Sequence, residues 1–439
     1  MATTILLGII SIGILIFVHE LGHFLMARAV GIRVEVFSIG WGKGLVSFKW
    51  KETKIQLGWI PFGGYCKLAG DSLRDDLQDS PDEYYSSSPF KRIFVALGGP
   101  VFNYIFAVLL FSMIIIIGYE IRTFSNRILL AEAQDITGED RKTPAQSAGL
   151  LDGDVIVELN GKNITNWDDI TENIVRNALK PIQMKVLREG TLHELLVVPK
   201  LDRETGRGLI GIYPWVEPVI GDIVPGEPAE VGGFEKGDII LSVDGVKILH
   251  HMDFYNAIKG KSGSVLAVII SRESGQKELI LIPKEMEGYD SAGISFQTDT
   301  YRAEKFPVHI SFGRGVLKSI EGVNDTVRGI YLVFSGKIRA RSAVAGPAKL
   351  VYLSGVIAKE GFTYFLQVLS YISIAFFIMN LIPFPALDGS HVVISLYELI
   401  ARKKPNLKVI QKIQAFGFIV LIAVLIFVTM NDISSFFGK

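Results

Sequence analysis

Phe17-Val18-His19-Glu20-Leu21-Gly22-His23-Phe24 is the stretch whose reading decides the fold, because it sets H-E-x-x-H inside an apolar run that begins at Ile5. On a helix, imidazoles at i and i+4 share a face and can reach one Zn2+, and the glutamate between them can serve as a general base. Ionisable groups in a membrane-crossing helix are costly and are kept for function, which favours the metal reading over a chance match.

Four windows free of Asp, Glu, Lys and Arg are long enough to cross a bilayer: Met1–Phe17, running on through the H-E-x-x-H turns, Ile93–Tyr119, Gly361–Leu387 and Ile413–Asn431. The first has no basic leader and no small-residue cleavage site, so it is expected to stay uncleaved. The 439 residues are 49% hydrophobic, with mean hydropathy +0.36 and no net charge. That balance argues against a nucleic-acid partner, which needs a basic face. Cys66 is the only cysteine, so a disulfide within the chain and a cysteine-rich zinc site are both excluded, leaving His and carboxylate as ligands.

Lys and Arg crowd two short segments, Arg28 to Arg92 and Arg402 to Lys408, and none precedes Arg28. The positive-inside rule makes those segments cytoplasmic, places both termini outside and exports the long stretch between spans two and three. H-E-x-x-H then lies toward the cytoplasmic end of span one.

After span one, Gly40 to Gly70 alternates with glycine breaks and reads as a small β-sheet, with Trp41, Phe48, Trp50, Trp59 and Phe62 suited to a membrane interface. Its exposed edge could add an extended substrate as a further strand. Asp71 to Glu83 reads as an acidic, solvated loop. Span two opens with Gly98-Gly99-Pro100-Val101-Phe102-Asn103, whose glycines permit close helix approach and whose asparagine needs a hydrogen-bond partner.

The exported segment repeats at a shift of 84. Asp152-Gly153-Asp154-Val155-Ile156 falls on Lys236-Gly237-Asp238-Ile239-Ile240, Arg188-Glu189 on Arg272-Glu273, and Pro199-Lys200 on Pro283-Lys284. Two tandem copies of one β-rich module follow. The G-D-x-I-x-x-x-(N/D)-G core after P-A-x-x-x-G resembles a circularly permuted PDZ domain, whose groove would be lined late in each copy by Leu209, Ile210 and Gly211 and by Gly293 and Ile294. Between Phe306 and Ala348, Val316, Ile320, Val327, Tyr331 and Phe334 share a helical face, with Arg339 and Arg341 elsewhere. This suggests an amphipathic helix on the outer membrane surface or against a module.

Span three closes with Asn380-Leu381-Ile382-Pro383-Phe384-Pro385-Ala386-Leu387-Asp388-Gly389. The prolines break the helix. Asp388 ends a long charge-free run at about the depth of His19 and His23, so it is favoured over His391 as third zinc ligand, with water in the fourth position.

H-E-x-x-H in span one, G-G-P-x-x-N in span two and N-x-x-P-x-P-x-L-D-G in span three together resemble the site-2 protease family of intramembrane metalloproteases, over essentially the whole chain. The resemblance implies one Zn2+ per chain on His19, His23 and Asp388, and Glu20 as general base and acid. It implies substrate contacts at Asn380, Asn103 and the strand Gly64, Tyr65, Cys66, Lys67 and Leu68. Single-span membrane proteins would be the substrates, such as a pre-cleaved anti-sigma factor in an envelope stress response, and remnant signal peptides.

The expected architecture is a polytopic α-helical membrane protein of a Gram-negative inner membrane, with four transmembrane helices, a catalytic core carrying a membrane-associated β-sheet, and two tandem PDZ domains. Its expected divisions are span one at 1–30, the β region and acidic loop at 31–92, span two at 93–119, the PDZ domains at 120–215 and 216–303, amphipathic helices at 304–360, span three at 361–387, a hairpin at 388–412 and span four at 413–439. Three other readings compete. An anchored soluble-type metalloprotease requires a third ligand in the exported part, a silent PDZ scaffold requires no catalytic Glu20, and a zinc transporter requires acidic residues along the spans.

Overall fold

The structure, a computed structural model, describes residues 2–71, 80–118, 120–131, 142–286, 289–302, 305–338, 346–404 and 406–437. Asp75, Asp76 and Asp79 of the acidic loop, and Arg339 and Arg341, lie outside them. The chain forms two compact units, residues 1–119 with 303–439, and residues 120–302.

In the first unit, helix α1 (Ala2–Ala29) leads into strands β1 (Val34–Trp50) and β2 (Thr53–Leu68), then helix α2 (Pro89–Ile117). After the second unit come α3 (Val308–Phe334), α4 (Pro347–Glu360), α5 (Phe362–Leu381), α6 (Asp388–Ala401) and α7 (Leu407–Phe437). Helices α1, α2, α5 and α7 are long and apolar enough to cross a membrane. Leu15 of α1, Ala107, Phe111 and Ile114 of α2 and Leu366, Leu369 and Ile374 of α5 form a core shared by those three helices. α1 and α2 touch backbone to backbone, since a Cβ on Gly98 would lie 2.6 Å from the Gly22 carbonyl oxygen.

The hairpin folds back on itself. Val34–Ile39 pairs with Gly64–Leu68 on one side and with Lys54–Leu57 on the other, and Val46–Trp50 pairs beyond the latter. Gly64–Leu68 is therefore an outer strand of the sheet. Trp41, Phe48, Trp50 and Trp59 all stand exposed.

Helix α3 is held to its neighbours by small residues. The buried face is the small-residue stripe Ser311, Gly315, Ser319 and Gly322, with Gly315 against Ser112 of α2 and Gly322 against Ile374 of α5. Ile320, Val327, Tyr331 and Phe334 point outward. In an apolar environment the small stripe packs because it lets backbones approach, whereas large apolar residues gain nothing by leaving lipid.

The second unit carries the repeat. Two antiparallel four-stranded sheets run in the order Lys162–Asn163, Val155–Leu159, Ile182–Arg188, Thr191–Val197 and Val246–Lys247, Ile239–Val243, Leu266–Arg272, Gly275–Leu281. Each sheet has a helix, Trp167–Arg176 or His251–Ile258, and its own buried core. Arg188 grips Asp154 through Nε–Oδ1 at 2.7 Å and Nη2–Oδ2 at 2.8 Å, and Arg272 grips Asp238 the same way at 2.6 and 2.7 Å. The repeated arginine thus neutralises the repeated, buried aspartate of each G-D turn. Glu120–Thr123 pairs with Asp299–Arg302, so the two ends of the unit are adjacent strands.

Candidate active site

His19 and His23 project from one face of α1 toward α2 and the start of α6. His19 Nε2 lies 3.2 Å from His23 Nε2, and Asp388 Oδ2 lies 3.1 Å from the first and 3.4 Å from the second. Donors about 2.0–2.1 Å from a tetrahedral zinc stand roughly 3.3 Å apart, so these three form one face of such a site. Among the described residues this is the cluster able to hold a metal ion. His391 points elsewhere, its ring 6.1 Å from that of Tyr84.

Two further observations fit a metal. Asp388 Oδ2 is buried without a hydrogen-bond donor. Gly99 forms the floor: a Cβ there would overlap His23 Nε2 and lie 2.7 Å from His19 Nε2. The Gly98-Gly99 pair therefore does two jobs, bringing α1 against α2 and leaving the imidazole lone pairs uncovered.

The other ring nitrogens fix the tautomers. His23 Nδ1 donates to the Val95 carbonyl oxygen at 2.8 Å, which leaves Nε2 as a bare acceptor. The Asn103 side-chain amide lies 3.1 Å from His19 Nδ1, and its own Oδ1 is buried without a partner. Turning the amide over lets Oδ1 accept the His19 Nδ1 proton and satisfies both groups. Ser373 of α5 anchors this asparagine by donating to its backbone oxygen at 2.8 Å. Asn103 thus contacts His19 from beneath the site.

Asp388 is positioned by a built turn. α5 ends at Leu381, Ala386 takes φ +76°, and Asp388 opens α6. Gln414 of α7 accepts from the Ala386 N–H and donates to Ser390 Oγ at 2.8 Å. Gly389 has no alternative, because a Cβ would lie 2.5 Å from the Leu381 and Ile382 carbonyl oxygens. Downstream on α6, Glu398 pairs with the buried Arg92 of α2 at 2.5 Å.

Glu20 stands on the β2 side of the two histidines. A Cβ on Gly64 would lie 3.1 Å from Glu20 Cγ, and the Cys66 backbone N–H faces the Glu20 carboxylate. The outer strand from Gly64 to Leu68 therefore borders the glutamate. Within it, Tyr65 Oη accepts from Gln56 Nε2 at 3.0 Å and Lys67 pairs with Glu35 at 2.8 Å. Asn380 donates to the Phe376 carbonyl oxygen of its own helix at 3.1 Å. In the modules, Leu209 is exposed, and Gly211 (φ +88°) and Gly293 (φ +71°) turn the chain. Ile294 packs partly against its module core. Ile210, expected to line a groove, is instead sealed in its module's core, while its neighbour Leu209 faces outward.

Residues 7–424 match the model for peptidase family M50. The chain belongs to that family. Among M50-like relatives, a putative zinc metalloprotease of Treponema pallidum is 28% identical, covering 99% of both chains. One of Campylobacter jejuni is 30% identical, covering 98% of this chain and 93% of its own. The regulator of sigma-E protease RseP of Escherichia coli is 28% identical, covering 97% of each. A solved PDZ domain from Listeria monocytogenes matches 19% of this chain and 90% of itself at 16% identity, with TM-score 0.17. As an M50 peptidase, this chain is a zinc-dependent membrane metalloprotease.

Proposed function

We propose that the chain is an intramembrane endopeptidase that cuts within the transmembrane segments of single-span proteins. The observation that carries this is the donor triad. Two of its members sit on an apolar, membrane-length helix and the third opens α6, just past the end of another such helix, with catalytic Glu20 alongside.

In this reading His19, His23 and Asp388 hold the zinc. Bound zinc polarises the scissile carbonyl and lowers the pKa of water to about 7. Glu20 takes the proton from the attacking water and hands it to the leaving amine. Val95 and Asn103 keep both imidazoles in the tautomer that presents Nε2. A peptide bond in a helix is shielded by its own i to i−4 hydrogen bonds, so the substrate unwinds before attack. The outer strand from Gly64 to Leu68 takes the unwound segment as an added strand and replaces those bonds, and Asn380 helps hold it.

The substrates we infer are a membrane-bound anti-sigma factor already trimmed on its outer side, in line with the name of the Escherichia coli relative, and remnant signal peptides. The termini and the two modules, read as PDZ domains, lie outside an inner membrane and exclude substrates with bulky outer domains, while the zinc site lies toward the cytoplasm.

The test is cleavage of a tagged, outer-trimmed single-span substrate by purified wild type, Glu20→Gln and Asp388→Ala, with zinc assayed in each. Wild type cuts within the span, Glu20→Gln keeps zinc but is inactive, and Asp388→Ala loses zinc and activity together. Cleavage by Glu20→Gln rejects the reading.

A further inference from the structure

Where α1 leaves the apolar zone, a cavity of about 380 Å3 opens between its last turn and the turn joining β1 to β2. Its lining includes Arg28, Arg33, Lys51, Glu52 and Asp82. Arg33 and Asp82 cancel one another at 2.9 Å. Arg28 and Lys51 carry no ion pair among the described residues, and Glu52 pairs with neither.

Both free cations are held by one ring. The Arg28 guanidinium carbon lies 4.7 Å from the Trp50 ring centre and 5.8 Å from that of Phe24, and Lys51 Nζ lies 5.8 Å from Trp50. A guanidinium stacked on its face keeps its in-plane N–H donors free for an oxyanion. The surroundings are lipid-like. Val46, Phe48 and Trp50 alternate along β1 on one face of the strand and are 65%, 59% and 45% exposed. An apolar strip thus runs away from the paired cations, as acyl chains run from a phosphate.

We propose that this cavity binds the phosphate of an anionic phospholipid headgroup, with Arg28 and Lys51 gripping the phosphate and the acyl chains lying on Val46, Phe48 and Trp50. The site is separate from the zinc site: it occupies the C-terminal end of α1, beyond His23. Bound lipid would brace the hairpin whose outer strand borders Glu20.

The test uses the full-length, zinc-loaded protein in neutral detergent, titrated with phosphatidylglycerol, phosphatidylcholine or inorganic phosphate and read by native mass spectrometry. Wild type is expected to bind phosphatidylglycerol ahead of phosphatidylcholine. Arg28→Gln and Lys51→Gln should each weaken that binding about fivefold, the effect of one interfacial charge, while Arg28→Lys, which keeps the charge but not the stacked fork of donors, should recover part of the loss. Lys403→Gln, which removes a distant charge, should change nothing. Zinc content identical to wild type in every variant excludes misfolding as the cause. The proposal fails if Arg28→Gln with Lys51→Gln binds phosphatidylglycerol like wild type, or if Lys403→Gln weakens it equally. Displacement of the lipid by inorganic phosphate at matched concentration would reassign the pocket to free phosphate; resistance to displacement supports the lipid.

Discussion

Gly99 carries more of the zinc site than its size suggests. Any side chain there enters the space between His19 and His23, so Gly99→Ala is expected to abolish zinc binding in a protein that still extracts as a folded monodisperse species, measurable as metal per chain. Asn103 acts one step further out, through the His19 Nδ1 proton. Asn103→Ala should lower zinc affinity about 10- to 100-fold, the usual cost of losing a histidine's outer partner. Asn103→Asp, which keeps an acceptor, should lose much less. A zinc-chelator competition distinguishes the two, because a merely space-filling asparagine would make them equivalent.

Among the elements, α6 must be held against α2 for Asp388 to meet the histidines, and the buried Arg92–Glu398 pair sits on that contact. Glu398→Gln leaves the buried Arg92 without its counter-charge, and breaking a buried ion pair costs up to about 3–5 kcal/mol. Both thermal stability and zinc retention are expected to fall, and Arg92→Met with Glu398→Met should recover most of the loss. The second module has a pH dependence of its own. Burial, together with neighbouring His250, pushes His251 down from 6.5 to about 4. Between those values the unfolded chain binds a proton that the folded module refuses, so stability declines as pH falls through that window and levels off below it. Protection against hydrogen exchange in Leu266–Arg272, taken relative to the intrinsic rate at each pH, should fall accordingly, and His251→Gln should flatten the profile.

For the molecule as a whole, the pairing of Glu120–Thr123 with Asp299–Arg302 makes residues 120–302 an insertion with adjacent ends. Replacing them with a short linker between 119 and 303 is expected to leave zinc content intact and to admit substrates with larger outer domains. Comparing cleavage of short- and long-ectodomain substrates checks this. Loss of zinc from the shortened chain would contradict it.

The sequence alone determined the features that depend on local periodicity and composition. Charge-free runs marked the apolar helices, an i, i+4 spacing put His19 and His23 on one face, and the 84-residue shift fell on the region where the structure has two four-stranded sheets of like order. Asp388 could be singled out from 365 residues away because a carboxylate ending an apolar run is conspicuous by its cost. Other features depended on which surfaces meet. That Gly99 floors the site, that Val95 offers a carbonyl to His23 and that Arg92 finds Glu398 leave no periodic trace, because each arises only when distant segments touch. The packing of α3 is another such feature. Its large apolar face stands out in the sequence, but only the tertiary structure decided which residues meet α2 and α5, where Gly315 and Gly322 let the helices approach.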